Sequence, residues 1–134
     1  MTPESAQSLL RENFADWVQA LDLTIREIDK THALIRMPLS NHLARVGGIV
    51  SGQALAALAD TTMVFAAIAH TGDAKSLATT DLHTQFLRPG IGTAILCRAE
   101  VVRAGRALIF ARSEMTEEDS ARLIATATAT FYVP

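Results

Sequence analysis

The chain has 134 residues, of which 49% are hydrophobic and 19% charged, and its formal net charge is −2. This length suits a single domain, residues 1–134, with its own hydrophobic core. Acids and bases are interspersed without a basic run, so nucleic-acid binding has no electrostatic support. A lone cysteine, Cys97, excludes a disulfide framework.

The N-terminal region and the apolar runs bear on location. Residues 1–10 contain neither a basic region nor a long apolar run, which argues against a signal peptide. The longest apolar run, Met63–Ala69, is too short to cross a bilayer. We therefore expect a soluble, cytoplasmic protein that does not act at a membrane.

The first forty residues predict a helix followed by a hairpin. Thr2, Pro3 and Glu4 supply a cap, a proline at the first helical position and an acid in the first turn. Apolar residues then recur at helical spacing, which predicts one amphipathic helix over Pro3–Leu21. Alternation afterwards predicts two paired strands, Leu23–Ile28 and Ala33–Leu39.

A second helix is predicted over Ser51–Thr71, after a loop at Ser40–Gly48. Ser51 is a good cap, and Gly72 is a suitable residue to end the helix. The segment is apolar on nearly every face, which is typical of a buried helix. Asp60 is its only formally charged residue.

Four further strands complete the predicted fold. Their short connections favour antiparallel neighbours. A helix apolar all round must be wrapped by the sheet, and a partner subunit should cover what the sheet leaves open. The fold class is therefore α+β, with an antiparallel sheet around a long central helix and an extra N-terminal helix. The four strands are Leu77–Leu87, Thr93–Val102, Ala107–Met115 and Leu123–Val133.

Two positions on the central helix carry chemistry. Gly52 lies at the helix start, where backbone N–H groups are unpaired and can polarise a carbonyl oxygen. Asp60 lies about 12 Å further along the axis, so the two groups of one chain cannot act on one carbonyl. If two such helices pack antiparallel across a two-fold axis, Asp60 of each subunit meets Gly52 of the other. We therefore expect a homodimer.

Simpler interpretations of these residues stay open. Gly47-Gly48 alone is typical of a turn, and a lone helical aspartate is usually exposed. Ser51 is better explained as a cap than as a nucleophile, because the sequence has no G-x-S-x-G elbow. A metal site is not expected, because no pair of histidines has metal-ligand spacing on a helix and no cysteine cluster accompanies them, and no cofactor is expected either. These histidines are His32, His42, His70 and His83.

The helix motif resembles a known family. Gly48-x-Val50-Ser51-Gly52, followed by Leu58-Ala59-Asp60, is similar to the G-x-V-H-G-G-x-x-x-x-L-A-D signature of PaaI-like acyl-CoA thioesterases of the phenylacetate-pathway type. Residues 79–89, 103–106 and 125–133 are similar to later parts of the same family. The resemblance implies a hotdog fold, hydrolysis of acyl-CoA thioesters, and a homodimer that pairs again into a homotetramer.

The resemblance also implies roles for individual residues. Asp60 matches the catalytic carboxylate, as general base for water or as nucleophile on the thioester carbon. Gly52 matches the backbone donor that polarises the carbonyl, and Thr79 a hydroxyl that helps to place water. Arginine suits the phosphates of coenzyme A, although solvation alone explains many exposed arginines. Positions matching the coenzyme A contacts are Arg88, Pro89, Arg103, Gly105 and Arg106.

Three residues depart from the family pattern near the expected substrate site. Ser51 replaces the histidine, Gln53 replaces the second glycine, and Arg45 replaces an upstream asparagine. They are the expected contributors to substrate binding and choice, and they leave open a non-catalytic acyl-CoA-binding module. A hotdog hydratase needs a histidine in its acid–base pair. It is disfavoured because the central helix has only His70, at its far end.

Overall fold

The computed structural model describes residues 1–73 and 77–134 and contains one six-stranded sheet. The strands are strongly apolar on one face, and that face packs on the long helix α3. This confirms the predicted α+β architecture. The elements in chain order are α1 (Pro3–Asn13), α2 (Asp16–Gln19), β1 (Thr24–Ile28), β2 (Ala33–Pro38), a 3-10 turn (Asn41–Leu43), α3 (Gly52–Thr71), β3 (Ala78–Phe86), β4 (Ala94–Ala104), β5 (Leu108–Glu117) and β6 (Leu123–Tyr132).

The N-terminal segment begins as predicted but breaks early. Thr2 caps α1 in a capping box with Ser5. The single helix predicted over Pro3–Leu21 is wrong, because the chain becomes extended at Phe14 and starts again as α2. The Gln19 side chain donates to the carbonyl of Phe14 at 2.8 Å, and the Phe14 ring stacks on Phe65 of α3. The break therefore turns an aromatic ring onto the core.

The sheet order is β1-β2-β4-β5-β6-β3, and every neighbouring pair is antiparallel. The short Arg88-Pro89-Gly90 connection predicted that β3 and β4 are neighbours, and this is wrong. At this point the chain leaves the sheet edge, where Gly90 accepts a hydrogen bond from the backbone N–H of Val50. Proline cannot donate to a sheet ladder. Among the residues that the structure describes, β3 pairs only with β6 and is therefore an edge strand.

Helix α3 fits its prediction closely. Ser51 caps it by accepting a hydrogen bond from the N–H of Ala54, and Gly72 ends it with a left-handed φ of 73°. The helix is long and apolar enough to span a membrane by length and composition, but most of it is buried inside the domain. Apart from His70 and Thr71 at its C-terminal end, the less covered positions of α3 lie at helical spacing along one stripe, which we call the open stripe: Gly52, Gln53, Ala56, Ala57, Asp60 and Val64.

The edge strand β3 lies beside the start and the middle of this stripe. Every residue of β3 except Thr84 is exposed. Thr79 and Phe86 pair in register with the buried residues Phe131 and Ala125, so both side chains point to the helix side of the sheet. One open surface therefore combines an unpaired strand edge with the only charged position of α3.

Replacing the stacked rings tests how firmly the N-terminal helices are held. Phe14 and Phe65 stack with ring centroids 5.3 Å apart and an interplanar angle of 12°. Phe14→Leu and Phe65→Leu should each destabilise the fold, and the double variant should show a coupling of about 0.5–1.5 kcal/mol. Urea unfolding measures these values.

A matched control is available for this double-mutant cycle. Trp17 is 62% exposed, so Trp17→Leu should change the free energy of unfolding by no more than about 0.5 kcal/mol. A coupling of zero between Phe14 and Phe65 would show that their stacking does not hold the N-terminal segment on α3.

Candidate active site

The N-terminus of α3 presents two free donors. The hydroxyl of Ser51 accepts a hydrogen bond from the N–H of Ala54, and the carbonyl of Ser51 accepts one from the N–H of Leu55. The N–H groups of Gly52 and Gln53 have no hydrogen-bond partner among the residues that the structure describes. Such donors, reinforced by the helix dipole, attract a carbonyl oxygen that develops negative charge.

A cavity of about 360 Å³ opens at this helix end. Ile49, Leu55 and Phe86 supply apolar walls, while Arg45 and Arg88 add positive charge. Arg88 donates to the carbonyl of Leu123 at 2.7 Å, which fixes its orientation. Among the residues that line this cavity none is acidic, so it suits a ligand with an apolar part and an anionic part.

The Phe86 ring explains why residue 52 is glycine. A Cβ placed on Gly52 would lie 3.2 Å from Cζ of Phe86, and its three nearest atoms would all belong to that ring. The φ of Gly52 is not in the left-handed region, so the backbone itself would accept another residue. Close approach of the aromatic ring, together with access for a ligand, therefore favours glycine here.

Asp60 lies half-buried on the open stripe of α3. The hydroxyl of Thr79, on β3, donates to Oδ1 of Asp60 at 2.9 Å. Burial raises the pKa of the Asp60 carboxyl above its ordinary value, and the hydrogen bond from Thr79 opposes that rise. A carboxylate with a raised pKa, placed at an open surface, is suited to act as a base or as a nucleophile.

Within one chain these groups form two half-sites. Gly52 and Phe86 belong to the first, which contains the free N–H groups and the cavity. Asp60 and Thr79 belong to the second, about 12 Å further along the axis of α3. The structure thus brings Asp60 to Thr79, as the expected roles require, but does not bring either to Gly52.

The remaining predicted residues divide between the two ends of β3. Arg45, Arg88 and Pro89 line the cavity, with Ser51 and Gln53 at the adjoining helix end. Register pairing places Leu108, Tyr132 and Ala78 side by side, so the β4–β5 hairpin lies at the Thr79 end of the sheet. This hairpin carries three further predicted residues, which lie outside the cavity lining: Arg103, Gly105 and Arg106.

Some wall residues escaped prediction. Phe86 stood within a run quoted for the family resemblance, but only its contact with Gly52 reveals a role. Ile49 and Leu55 look like ordinary core positions in the sequence. In strands and helices, periodicity shows which residues face inward but not which of them meet at a cavity.

Other parts of the molecule offer less chemistry. No cluster of three or more potential metal ligands occurs within residues 1–73 and 77–134. A larger cavity, about 520 Å³, lies on the outer face of the sheet, away from α3. It is lined by charged side chains such as Arg112, which is paired with Glu100 at 2.6 Å. These charges already neutralise each other, so Asp60 and the α3 N-terminus form the better site.

Comparison with known proteins decides the family. The model of the thioesterase superfamily matches residues 47–124, more than half of the chain, and this span contains both half-sites. The chain belongs to the thioesterase superfamily. This membership confirms the PaaI-like resemblance and the hotdog fold.

Individual relatives agree with this assignment. A candidate esterase of Thermoplasma acidophilum is 27% identical over 95 residues, which cover 70% of each chain. A phenylacetic acid degradation-related protein of Ralstonia eutropha is 26% identical, with a TM-score of 0.81 and coverage of 96% and 98%. The thioesterase HI1161 of Haemophilus influenzae has the same fold, with 21% identity, a TM-score of 0.87 and coverage of 98% and 90%. Family and relatives support hydrolase activity on thioesters.

The raised pKa of Asp60 predicts a pH dependence of stability. In the folded chain the carboxyl keeps its proton at pH values where the unfolded chain has already released it. The contribution to stability is therefore full below the ordinary pKa of 3.8 and is lost as the pH rises through the raised value. Asp60→Asn removes this dependence, so the free energy of unfolding of the variant relative to that of wild type should increase as the pH rises above the ordinary pKa of 3.8.

Urea unfolding at several pH values measures the difference. The matched control is Asp81→Asn, since Asp81 is an exposed carboxylate on the same strand as Thr79. It should change stability by no more than about 0.5 kcal/mol. If the difference between wild type and Asp60→Asn stays constant with pH, burial does not shift this carboxyl.

Proposed function

We propose that the protein is an acyl-CoA thioesterase that hydrolyses the thioester of an acyl- or aryl-CoA to the free acid and coenzyme A. One observation carries the proposal: the open stripe of α3 presents the free N–H groups of Gly52 and Gln53 and also the half-buried carboxylate of Asp60, which accepts a hydrogen bond from Thr79. This hydrolysis needs a hydrogen-bond donor that polarises the thioester carbonyl and a carboxylate that acts as base or nucleophile. Family membership supports the same reaction.

The proposed active unit is a homodimer. β3 is an unpaired edge strand, and the open stripe beside it contains apolar surface that a lone subunit leaves uncovered. A two-fold axis that sets two α3 helices antiparallel would bring the Gly52 half-site of one subunit to the Asp60 half-site of the other. Two identical composite sites would follow. Further pairing into a tetramer is part of the proposal.

The reaction then has a defined course. Asp60 takes a proton from water as the water oxygen attacks the thioester carbon, while the Gly52 N–H binds the developing oxyanion. Collapse of this intermediate breaks the carbon–sulfur bond, and the proton passes to the departing thiolate. If Asp60 instead attacks the carbon directly, the carbon–sulfur bond breaks, coenzyme A leaves as the thiolate and takes a proton from water, and an anhydride between the acyl group and Asp60 forms. Water hydrolyses this anhydride in a second step, which releases the acid and restores the carboxylate.

Coenzyme A binding is assigned to arginines from both subunits. Arg45 and Arg88 line the cavity of one half-site, and Arg103 and Arg106 belong to the β4–β5 hairpin, at the end of the sheet where Thr79 lies. The two-fold arrangement would therefore place four guanidinium groups around each composite site. Guanidinium groups match phosphate geometry, and no acidic residue among those lining the cavity opposes them.

Loss of the carboxylate is the direct test of this function. Asp60→Asn keeps the size and polarity of the side chain but removes the base and nucleophile. The expected drop in kcat is roughly 10²–10⁴-fold, with acyl-CoA binding and assembly retained. Thiol release from a panel of acyl-CoAs is the measurement. Near-normal turnover by Asp60→Asn would place the chemistry elsewhere, and a wild type that binds without turnover would favour a non-catalytic acyl-CoA-binding module.

Mixed dimers test the composite site. Gly52→Pro removes the N–H at the first helical position, where proline is tolerated. Homodimers of Gly52→Pro and of Asp60→Asn should both be nearly inactive. A heterodimer of the two variants should regain about half the wild-type activity per dimer, because one of its two composite sites contains both intact residues.

The control for the proline variant is Gly52→Ala, which adds the same Cβ contact with Phe86 but keeps the N–H. It separates loss of the donor from crowding of the ring. An inactive heterodimer, prepared with two different tags, would mean that Gly52 and Asp60 act within one chain. An active monomer in sedimentation would contradict the assembly itself.

A further inference from the structure

We infer that Phe86 is a specificity-determining residue, which restricts branching of the acyl group at the carbon next to the thioester carbonyl. This inference rests on the proposed function and adds a substrate class to it. Phe86 ends β3 and lies against the start of α3. The roles proposed above for Asp60, Thr79 and the arginines do not use it.

The ring approaches Gly52 end-on. Its Cζ, Cε1 and Cε2 atoms lie 3.2, 3.5 and 3.6 Å from the position of a Cβ on Gly52. The tip of the ring therefore occupies the space beside the first free N–H of the helix. A carbonyl oxygen bound at that N–H would lie roughly 3 Å from it, which leaves the adjoining acyl carbon next to the ring.

The ring is also open to a ligand. Phe86 is 54% exposed, although its register partner Ala125 is fully buried. The tip of the ring lies against the helix start, and Phe86 also lines the cavity that Leu55 and Ile49 complete. An aromatic side chain in this position can exclude a ligand by bulk and can cover it with apolar surface.

The two-fold arrangement places Phe86 in the composite site. Phe86 touches Gly52, and Thr79 touches Asp60, within each chain. If Gly52 of one subunit meets Asp60 of the other, Phe86 of the first must face Thr79 of the second. The acyl group would then lie between an aromatic ring and the Asp60–Thr79 pair. Straight acyl groups fit beside a ring tip, whereas a branch at the first carbon collides with it.

Butyryl-CoA and isobutyryl-CoA test this inference, because they have the same atoms and differ only in branching at that carbon. Wild type should prefer butyryl-CoA. Phe86→Ala should raise the ratio of kcat/KM for isobutyryl-CoA to that for butyryl-CoA by roughly tenfold or more, the scale of one misplaced methyl group in an apolar pocket. Comparing ratios cancels the intrinsic reactivity of each thioester.

Two further variants make the result specific. Phe86→Leu removes less volume than Phe86→Ala, so its ratio of kcat/KM for isobutyryl-CoA to that for butyryl-CoA should lie between the ratios of wild type and Phe86→Ala. This variant also provides the test if Phe86→Ala does not fold. Phe110 is a partly exposed phenylalanine on the outer face of β5, so Phe110→Ala is the matched control and should leave the ratio unchanged. An unchanged ratio in a folded Phe86→Ala or Phe86→Leu protein that hydrolyses both substrates overturns the inference and leaves the proposed function intact.

Binding keeps the two proposals distinguishable. Ketone analogues, in which a methylene group replaces the sulfur of each substrate, retain the carbonyl but cannot be hydrolysed. Calorimetry should show the same shift of roughly tenfold in their Kd ratio in Phe86→Ala. If wild type releases no thiol but this shift occurs, the hydrolase proposal fails and Phe86 still selects the acyl group. If wild type neither releases thiol nor binds either analogue, both proposals are wrong.

Discussion

The burial of α3 is the constraint on which the rest of the molecule depends. A helix that is apolar on nearly every face must be shielded from water along most of its length, and the sheet and the N-terminal segment shield α3 except along the open stripe and at its C-terminal end. The carboxylate of Asp60 lies on that stripe and is partly desolvated. The hydrogen bond from the hydroxyl of Thr79 offsets part of the free-energy cost of this desolvation. The same packing that stabilises the domain thereby prepares a carboxyl group for proton transfer.

The edge strand β3 connects the two half-sites. Near its start, Thr79 contacts Asp60, and its last residue, Phe86, contacts Gly52. Both contacts depend on the strand lying at the sheet edge, where β6 is its only neighbour within residues 1–73 and 77–134. A central strand could not leave this surface open. The position of β3 therefore explains why the candidate chemistry lies on one side of the molecule, while paired charges such as Arg112 and Glu100 occupy the other.

Local signals in the sequence predicted the elements better than their arrangement. The Ser51 cap, the Gly72 end and the alternating strands depend on short-range physics, and the structure has all of them near the expected residues. The break at Phe14 depends on stacking against a ring 51 residues away, which no local pattern contains. The edge position of β3 likewise depends on competition among strands for partners, and a short connection alone misassigned it.

The candidate site was predictable to the extent that each residue carries its own signal. A carboxylate in an apolar helix stands out, and so does a glycine at a helix start, so Asp60 and Gly52 were found from sequence. Thr79 came from the family resemblance, and its hydrogen bond now gives that assignment a physical basis. Phe86 was missed because its importance comes from a contact between distant residues. An exposed phenylalanine at a strand end has no distinctive pattern.

The placement of both half-sites on one helix has a mechanical consequence for the proposed dimer. A helix is stiff along its axis, so Gly52 and Asp60 move together and keep their spacing of about 12 Å. If one α3 slid slightly along its partner, the distance between Gly52 and Asp60 would change in both composite sites at once, because each site combines Gly52 of one helix with Asp60 of the other. Binding of substrate at one composite site would thus also set the distance between Gly52 and Asp60 at the other. Because each α3 contributes to both composite sites, the two sites of the dimer would widen and narrow together.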